Sequence, residues 1–201
     1  MLSLAIAAAS ARYLTFDPTT YFAQQRDVYV DRQTVLGLHI GGAIVALVLM
    51  PLQLAKSLRR RLPRVHRALG VLYVVGVLVG GLAGLALATT AHGGVVAGLG
   101  FTGLALAWLA TTAAAVQAIA RGDIPGHRRW MIRSASLTFA AVTLRLYLGV
   151  ASATGLPFDP SYVTIAWLCW VPNLLLALHA TRRGPAAPRH AAALVSASPR
   201  P

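Results

Sequence analysis

The sequence predicts an all-α integral membrane helix bundle with five full transmembrane helices, plus a short N-terminal helix that cannot span a membrane alone. Hydrophobic residues make up 57% of the 201 residues and charged residues only 11%, whereas about a quarter of the residues in a soluble domain are charged. The apolar residues are also concentrated in long runs between short charged stretches, which is typical of membrane proteins. The single cysteine, Cys169, lies in such a run and has no partner for an intrachain disulfide or a CxxC motif.

Five apolar runs approach or exceed the roughly 20 residues that a helix needs to cross the hydrocarbon core. They cover residues 34–54, 68–90, 95–120, 134–154 and 161–180. Because lipid offers the backbone no hydrogen-bond partners, each run is predicted to be a helix.

A sixth apolar run, at residues 2–11, is too short to span. We predict a truncated or mis-started first helix, and a cleaved signal peptide is the alternative because the run ends in Ala-Ala-Ala-Ser-Ala. Residues 1–33 are then a hydrophobic run followed by an extracytoplasmic segment, and residues 34–183 are the transmembrane bundle. Residues 184–201, which are rich in alanine and proline, are predicted to be a disordered cytoplasmic tail.

Positive charge is concentrated in alternate connections between the predicted helices. The loops around residues 55–67 and 121–133 and the C-terminal tail are rich in arginine, whereas the other connections are neutral or balanced. Arginine-rich loops stay on the cytoplasmic side. The sequence therefore predicts a multi-pass protein of the bacterial cytoplasmic (inner) membrane, with its basic loops and C-terminus in the cytoplasm.

The net charge of +13 does not indicate a nucleic-acid-binding protein, since the arginines form no basic face with interleaved aromatic residues. The lipid bilayer is the predicted partner, and a homo-oligomer or a membrane protein partner remains open.

Ionisable side chains inside the apolar runs are energetically costly and are therefore candidates for a function. Arg145 lies 18 residues after His127, which is five helical turns, so both residues share a helix face with Ser134 and Thr138. This polar stripe is expected to face other helices, and an arginine that snorkels outward is the alternative. His39 lies among glycines that permit close helix contact. Its alternative role is a structural hydrogen bond to a backbone carbonyl.

The last apolar run contains further polar bundle positions. Trp167 and Trp170 are typical of an aromatic belt at the membrane interface. Asn173 follows a proline that should kink the helix, and its amide could bond across the bundle. Gln53, in the first apolar run, is the remaining polar position that is expected to face the bundle. The sequence contains no motif of an enzyme nucleophile, HExxH site, carboxylate pair or phosphate-binding loop, so no catalytic residue is assigned.

Several short strings are shared with a known family. They are Leu38-His39-Ile40, Pro51-Leu52-Gln53, the stretch from His66 to Tyr73, the stretch from His127 to Ser134, Leu144-Arg145-Leu146-Tyr147 and the stretch from Trp167 to Leu174. Together they resemble a bacterial family of predicted membrane proteins known as domain of unknown function number twenty-three-oh-six, over residues 13–183. The resemblance implies the membrane fold and supports His39, His66, His127, Arg145 and Asn173 as site residues. It implies no reaction.

Three functions stay open. The first is a structural or partner-stabilising membrane component. The second is a membrane electron carrier that binds haem b, with His39, His66 and His127 as candidate axial ligands and Arg145 as an electrostatic partner. In this hypothesis His66 pairs with His127, and His39 pairs with His92. The third is a small transporter or proton-coupled carrier that uses His39 and Arg145, although the predicted helices contain no acidic residue to carry protons.

Overall fold

The computed structural model describes residues 1–182, and within them the chain is a helical bundle without β-strands. The predicted tail at residues 184–201 lies outside the described residues. The helices are α1 (Leu2–Ala11), α2 (Arg26–Asp31), α3 (Gln33–Leu54), α4 (Lys56–Arg61), α5 (Pro63–Ala88), α6 (Gly94–Ala120), α7 (Ile124–Thr138), α8 (Ala140–Ala153), α9 (Phe158–Leu168) and α10 (Val171–Ala180).

Five segments of the described chain are long and apolar enough to cross a membrane, which confirms the predicted fold class. They are α3, α5, α6, the continuous segment Ile124–Ala153 formed by α7 and α8, and the segment Phe158–Ala180 formed by α9 and α10. Two of them begin well before the predicted apolar runs, at Pro63 in place of residue 68 and at Ile124 in place of residue 134. Proline fits the first turn of a helix, so these helices extend into charged stretches that hydropathy alone does not detect.

The last membrane segment is interrupted at Cys169 and Trp170, just before Pro172. Proline lacks the N–H that would continue the hydrogen-bond ladder, so the break is expected here. The Asn173 side-chain amide donates to the Cys169 carbonyl oxygen at 3.0 Å and to Thr143 Oγ1 at 3.2 Å. Asn173 therefore satisfies a carbonyl near the break and joins α10 to α8.

A network of buried hydroxyl groups joins α5, α6 and α7 in the middle of the bundle. The fully buried Tyr73 hydroxyl lies 2.8 Å from both Ser134 Oγ and Thr138 Oγ1. Trp108 Nε1 donates to Thr138 Oγ1 at 2.9 Å, and Thr112 Oγ1 lies 2.7 Å from Ser134 Oγ. Because buried polar groups are costly unless they are paired, this satisfied network fixes how the three helices pack.

The residues before the bundle fold over one end of it. Helix α1 packs against α3 and α8, and residues 12–32 follow as short turns and α2. Three tyrosines pack together here: the Tyr13 and Tyr21 rings stack at 5.7 Å, and Tyr29 meets Tyr21 edge-on at 5.5 Å. We call residues 12–32 the N-terminal cap. The opposite end of the bundle, where α4 and the α6–α7 connection lie, is called the arginine-rich end.

Candidate functional site

A cavity of about 240 Å³ lies beneath the N-terminal cap. Its walls are mainly leucine, isoleucine, alanine and glycine side chains from α3, α5, α6, α7 and α8. The polar side chains that line it are Ser10, Tyr13, Gln25, Tyr29, His39, Thr90, His92, Trp108, Thr138, Arg145 and Tyr162. A mainly apolar cavity with a few convergent polar groups is the usual architecture of a small-molecule site.

His39 is held against α5 by a hydrogen bond of 2.8 Å between its Nδ1 and the Gly80 carbonyl oxygen. A carbonyl oxygen only accepts hydrogen bonds, so Nδ1 must carry the proton. In the neutral ring, Nε2 is therefore a lone-pair acceptor, and it makes no hydrogen bond within the described residues. Gly84 makes room for the ring, since a Cβ at this position would lie 2.8 Å from His39 Nδ1.

Arg145 lines the same cavity, on the side formed by α8. Its Nη1 donates to the Ala141 carbonyl oxygen at 3.1 Å. His39, Tyr13 and Tyr29 line the same cavity as Arg145. Within residues 1–182, no carboxylate oxygen approaches it to 4.0 Å or closer. The structure thus brings His39 and Arg145 together and places Arg145 against a cavity rather than against lipid.

The Tyr29 hydroxyl does not supply the missing negative charge. Burial raises the pKa of the Tyr29 hydroxyl well above its usual value, because the phenolate is poorly solvated away from water. Tyr29 is therefore a neutral hydrogen-bonding group near Arg145.

A hydrogen bond between His92 and Asp159 lies near the connection between α5 and α6. His92 Nε2 lies 2.8 Å from Asp159 Oδ1, and the side chains are 24% and 72% exposed. The His92 ring also packs on Phe158 at 5.5 Å and on Tyr162 at 5.8 Å. The pair is too exposed to contribute much stability, and of its two members only His92 lines the cavity.

The other predicted histidines lie at the arginine-rich end, away from this cavity. Gln53 Nε2 donates to the His66 carbonyl oxygen at 3.3 Å, and His127 Nδ1 donates to the Ala115 carbonyl oxygen at 2.9 Å. His66 and His127 are near enough for their charges to interact, and the buried His66 Nδ1 has no hydrogen-bond partner within the described residues. The predicted site residues therefore form two groups and not one site.

Of the remaining predicted positions, Trp167 and Asn173 make hydrogen bonds between helices, and Trp170 bonds within its own membrane segment. Trp167 Nε1 donates to the Val96 carbonyl oxygen and Trp170 Nε1 to the Ala166 carbonyl oxygen, both at 3.1 Å. Asn173 joins α10 to α8, as described above. None of the three lines the cavity.

Several residues that line the cavity are not among the predicted site residues. Gln25 and Tyr29 lie in the segment predicted to be outside the membrane, and only its folding over the bundle brings them to the cavity. Trp108 could have been recognised as a candidate from the sequence, because it is a lone tryptophan far from the ends of its apolar run. Within residues 1–182, no group of three or more His, Cys, Asp or Glu side chains is placed to hold a metal ion.

The Gly84→Ala variant should displace the His39 ring and break its bond to Gly80. The new Cβ would lie 2.8 Å from Nδ1 and 3.0 Å from Cε1, so the imidazole has to move. Nitrogen-15 NMR of labelled histidine should show a protonated Nδ1 in the wild type and a changed Nδ1 and Nε2 pattern in the variant. The Gly149→Ala variant is the control, because a Cβ there meets no atom within 4 Å. An unchanged His39 spectrum in Gly84→Ala would contradict this geometry.

Comparisons with known proteins identify the family but not a function. No curated protein and no solved structure matches the chain. A family model described as "Predicted membrane protein (DUF2306)" matches residues 36–180. The matched segment contains His39 and Arg145 but not the N-terminal cap. Since this match covers more than half of the 201 residues, the chain belongs to the DUF2306 family of predicted membrane proteins.

Proposed function

We propose that the protein binds a small amphipathic molecule within the membrane, in the cavity beneath the N-terminal cap. The observation that carries this proposal is the meeting of Arg145 and His39 in one largely apolar cavity. Apolar walls can accommodate the hydrocarbon part of a ligand, and Arg145 can donate hydrogen bonds to its polar end, whereas neutral His39 offers only an acceptor at Nε2. Of the functions considered from the sequence, this is nearest to the carrier that uses His39 and Arg145.

The energetics of Arg145 favour a functional over a structural role. An arginine at the centre of a membrane helix costs about 2.5–3.5 kcal/mol on insertion scales. A protein that only stabilises a partner has no need of such a residue beside a cavity. Intramembrane ionisable groups usually mark a ligand or ion pathway, so the position supports binding.

The buried hydroxyl network forms the floor of the cavity. Trp108 and Thr138 line the cavity, and Tyr73 and Ser134 lie behind them without solvent exposure. Passage towards the arginine-rich end would require this network to open. Binding is therefore the function we propose, with release on the side of the N-terminal cap. With the arginine-rich end in the cytoplasm of a bacterial cell, that side is extracytoplasmic.

Haem receives less support as the ligand. The cavity of about 240 Å³ is smaller than the roughly 300–1,000 Å³ of sites for drug-sized ligands, and a haem macrocycle needs a long flat slot. His92, the predicted partner of His39, has its Nε2 bonded to Asp159. A haem would thus require the helices to separate, and His92 would have only its Nδ1 left as a ligand.

Co-purification tests the proposed function without the need to choose a candidate ligand in advance. The protein would be purified in mild detergent, washed and extracted with organic solvent, and the released small molecules measured by mass spectrometry. We expect the wild type to release a molecule that the Ala141→Leu variant does not, since Ala141 lines the cavity and leucine would fill part of it. Gly149→Leu on the same helix is the matched control, because Gly149 is exposed and a Cβ there meets no atom within 4 Å. Identical extracts from all three proteins would overturn the proposal.

A further inference from the structure

We infer that the polar end of the bound molecule is a carboxylate, so that the cavity selects monocarboxylates with a compact apolar body. This inference rests on the proposed function, because it names the class of ligand for the same cavity. It starts from the positive charge of Arg145, which no carboxylate within the described residues approaches to ion-pair distance.

The hydrogen-bonding capacity of Arg145 is mostly unused. A guanidinium has five N–H donors and no acceptor. Within the described residues, the only hydrogen bond of Arg145 is from Nη1 to the Ala141 carbonyl oxygen. The remaining donors can bind a ligand, and the planar fork of a guanidinium matches the two oxygens of a carboxylate.

None of the acidic residues of the protein, all of which lie within residues 1–182, forms an ion pair with Arg145. The chain has five of them. Asp17 accepts hydrogen bonds from Thr19, Asp123 accepts one from the Gly126 N–H, and Asp159 is paired with His92. Asp27 and Asp31 are exposed on α2. None of them lies within ion-pair distance of Arg145, so a negative charge is supplied most directly by a ligand.

The surroundings of Arg145 favour a single negative charge. Arg12 is the other cation that acts on it, but the Arg12 side chain is exposed and its guanidinium lies over the Tyr13 ring. His39 in its neutral form presents a lone pair at Nε2, which repels a second negative oxygen. One buried cation therefore balances one anionic group, and a phosphate dianion would remain partly uncompensated in this apolar space.

The apolar walls of the cavity require the ligand to have an apolar body in addition to its carboxylate. Leu36, Ile40, Leu144 and Leu148 line the cavity together with several alanines and glycines. Inorganic anions would gain nothing from these walls, whereas an alkyl or aryl body would bury apolar surface against them. The small volume of the cavity limits that body to a single unbranched chain or a single ring.

Binding of a matched pair of amphiphiles tests the inference. Full-length protein in lipid nanodiscs would be equilibrated at pH 7.5 with radiolabelled decanoate or 1-decanol, and the binding to empty nanodiscs subtracted. We expect decanoate to bind at least about tenfold more tightly than 1-decanol, as a charge-assisted pair should. The Arg145→Met variant should lose this preference but keep its binding of 1-decanol, and Arg145→Lys should keep part of the preference.

Benzoate, tested in the same way, distinguishes the source of the ligand. Tight binding of benzoate supports a water-borne carboxylate, and binding of decanoate alone supports one that comes from the membrane. Equal binding of decanoate and 1-decanol to the wild type would overturn the carboxylate inference and leave the proposed function intact. Binding of none of the probes would also overturn it, while co-purification still decides separately whether the cavity holds any ligand. The comparison of probes on the wild type does not depend on whether a variant folds.

Discussion

The Gly42→Ala variant is expected to destabilise the bundle by about 3 kcal/mol or more, near the upper end of the range for overpacked sites. A Cβ on Gly42 would lie 2.5 Å from the Gly80 nitrogen and 2.6 Å from the Gly76 carbonyl oxygen. These are backbone atoms of α5, so they cannot rotate away as the end of a side chain can. The added methyl group must push α3 and α5 apart. Their separation would disturb the Gly80 carbonyl that holds His39.

The neighbouring residue provides a matched control for this prediction. A Cβ on Gly41 meets no atom within 4 Å, and alanine is a better helix former than glycine by about 1 kcal/mol. Gly41→Ala should therefore leave the stability unchanged or raise it slightly. Thermal and denaturant unfolding of the full-length proteins in the same detergent would measure both changes. Equal stabilities of the two variants would show that the close contact between α3 and α5 is not as described.

The membrane helices were predictable because a helix that crosses a membrane needs a long run of apolar residues, and hydropathy detects such runs. The runs at 34–54 and 95–120 agree with α3 and α6 to within about one residue at each end. The helix starts at Pro63 and Ile124 were missed, because charged residues at a helix end leave the apolar run while the backbone continues as a helix. The position of a span depends on composition, whereas its ends depend on local backbone geometry.

The candidate site was predictable only in part, because spacing along one helix does not give the order of helices around the bundle. Arg145, Ser134 and Thr138 were expected on one helix face, and all three face other helices in the structure. Arg145 on α8 and His39 on α3 line one cavity, and no pattern within either helix contains that information. Tyr29 reaches the cavity through the folding of the N-terminal cap, which depends on tertiary packing. The same limitation applies to Tyr73, a lone tyrosine whose two hydroxyl partners lie on α7.

The Arg145→Met variant is expected to be more stable than the wild type when no ligand is bound, by about 2 kcal/mol. Methionine fills much of the space of the arginine stem without a charge, and replacing buried charges by apolar side chains of similar size is often stabilising by about 1–4 kcal/mol. The single bond from Nη1 to the Ala141 carbonyl oxygen offsets only a small part of this difference, since that carbonyl is already within a helix. Unfolding of delipidated protein in detergent would measure the change.

The exposed Arg12 is the control for the same prediction. Its guanidinium is in contact with water and with the Tyr13 ring, so Arg12→Met should change the stability by less than about 0.5 kcal/mol. A loss of stability in Arg145→Met would mean that the arginine contributes to folding, and the argument for an unbalanced charge would fail. With saturating decanoate the stability advantage of Arg145→Met should shrink by at least about 1.4 kcal/mol, because decanoate binds the wild type at least about tenfold more tightly than the variant and a ligand stabilises the folded state in proportion to the logarithm of its concentration relative to its Kd. A residue that weakens the ligand-free protein and strengthens the complex is one retained for binding, since activity and stability commonly oppose each other at functional sites.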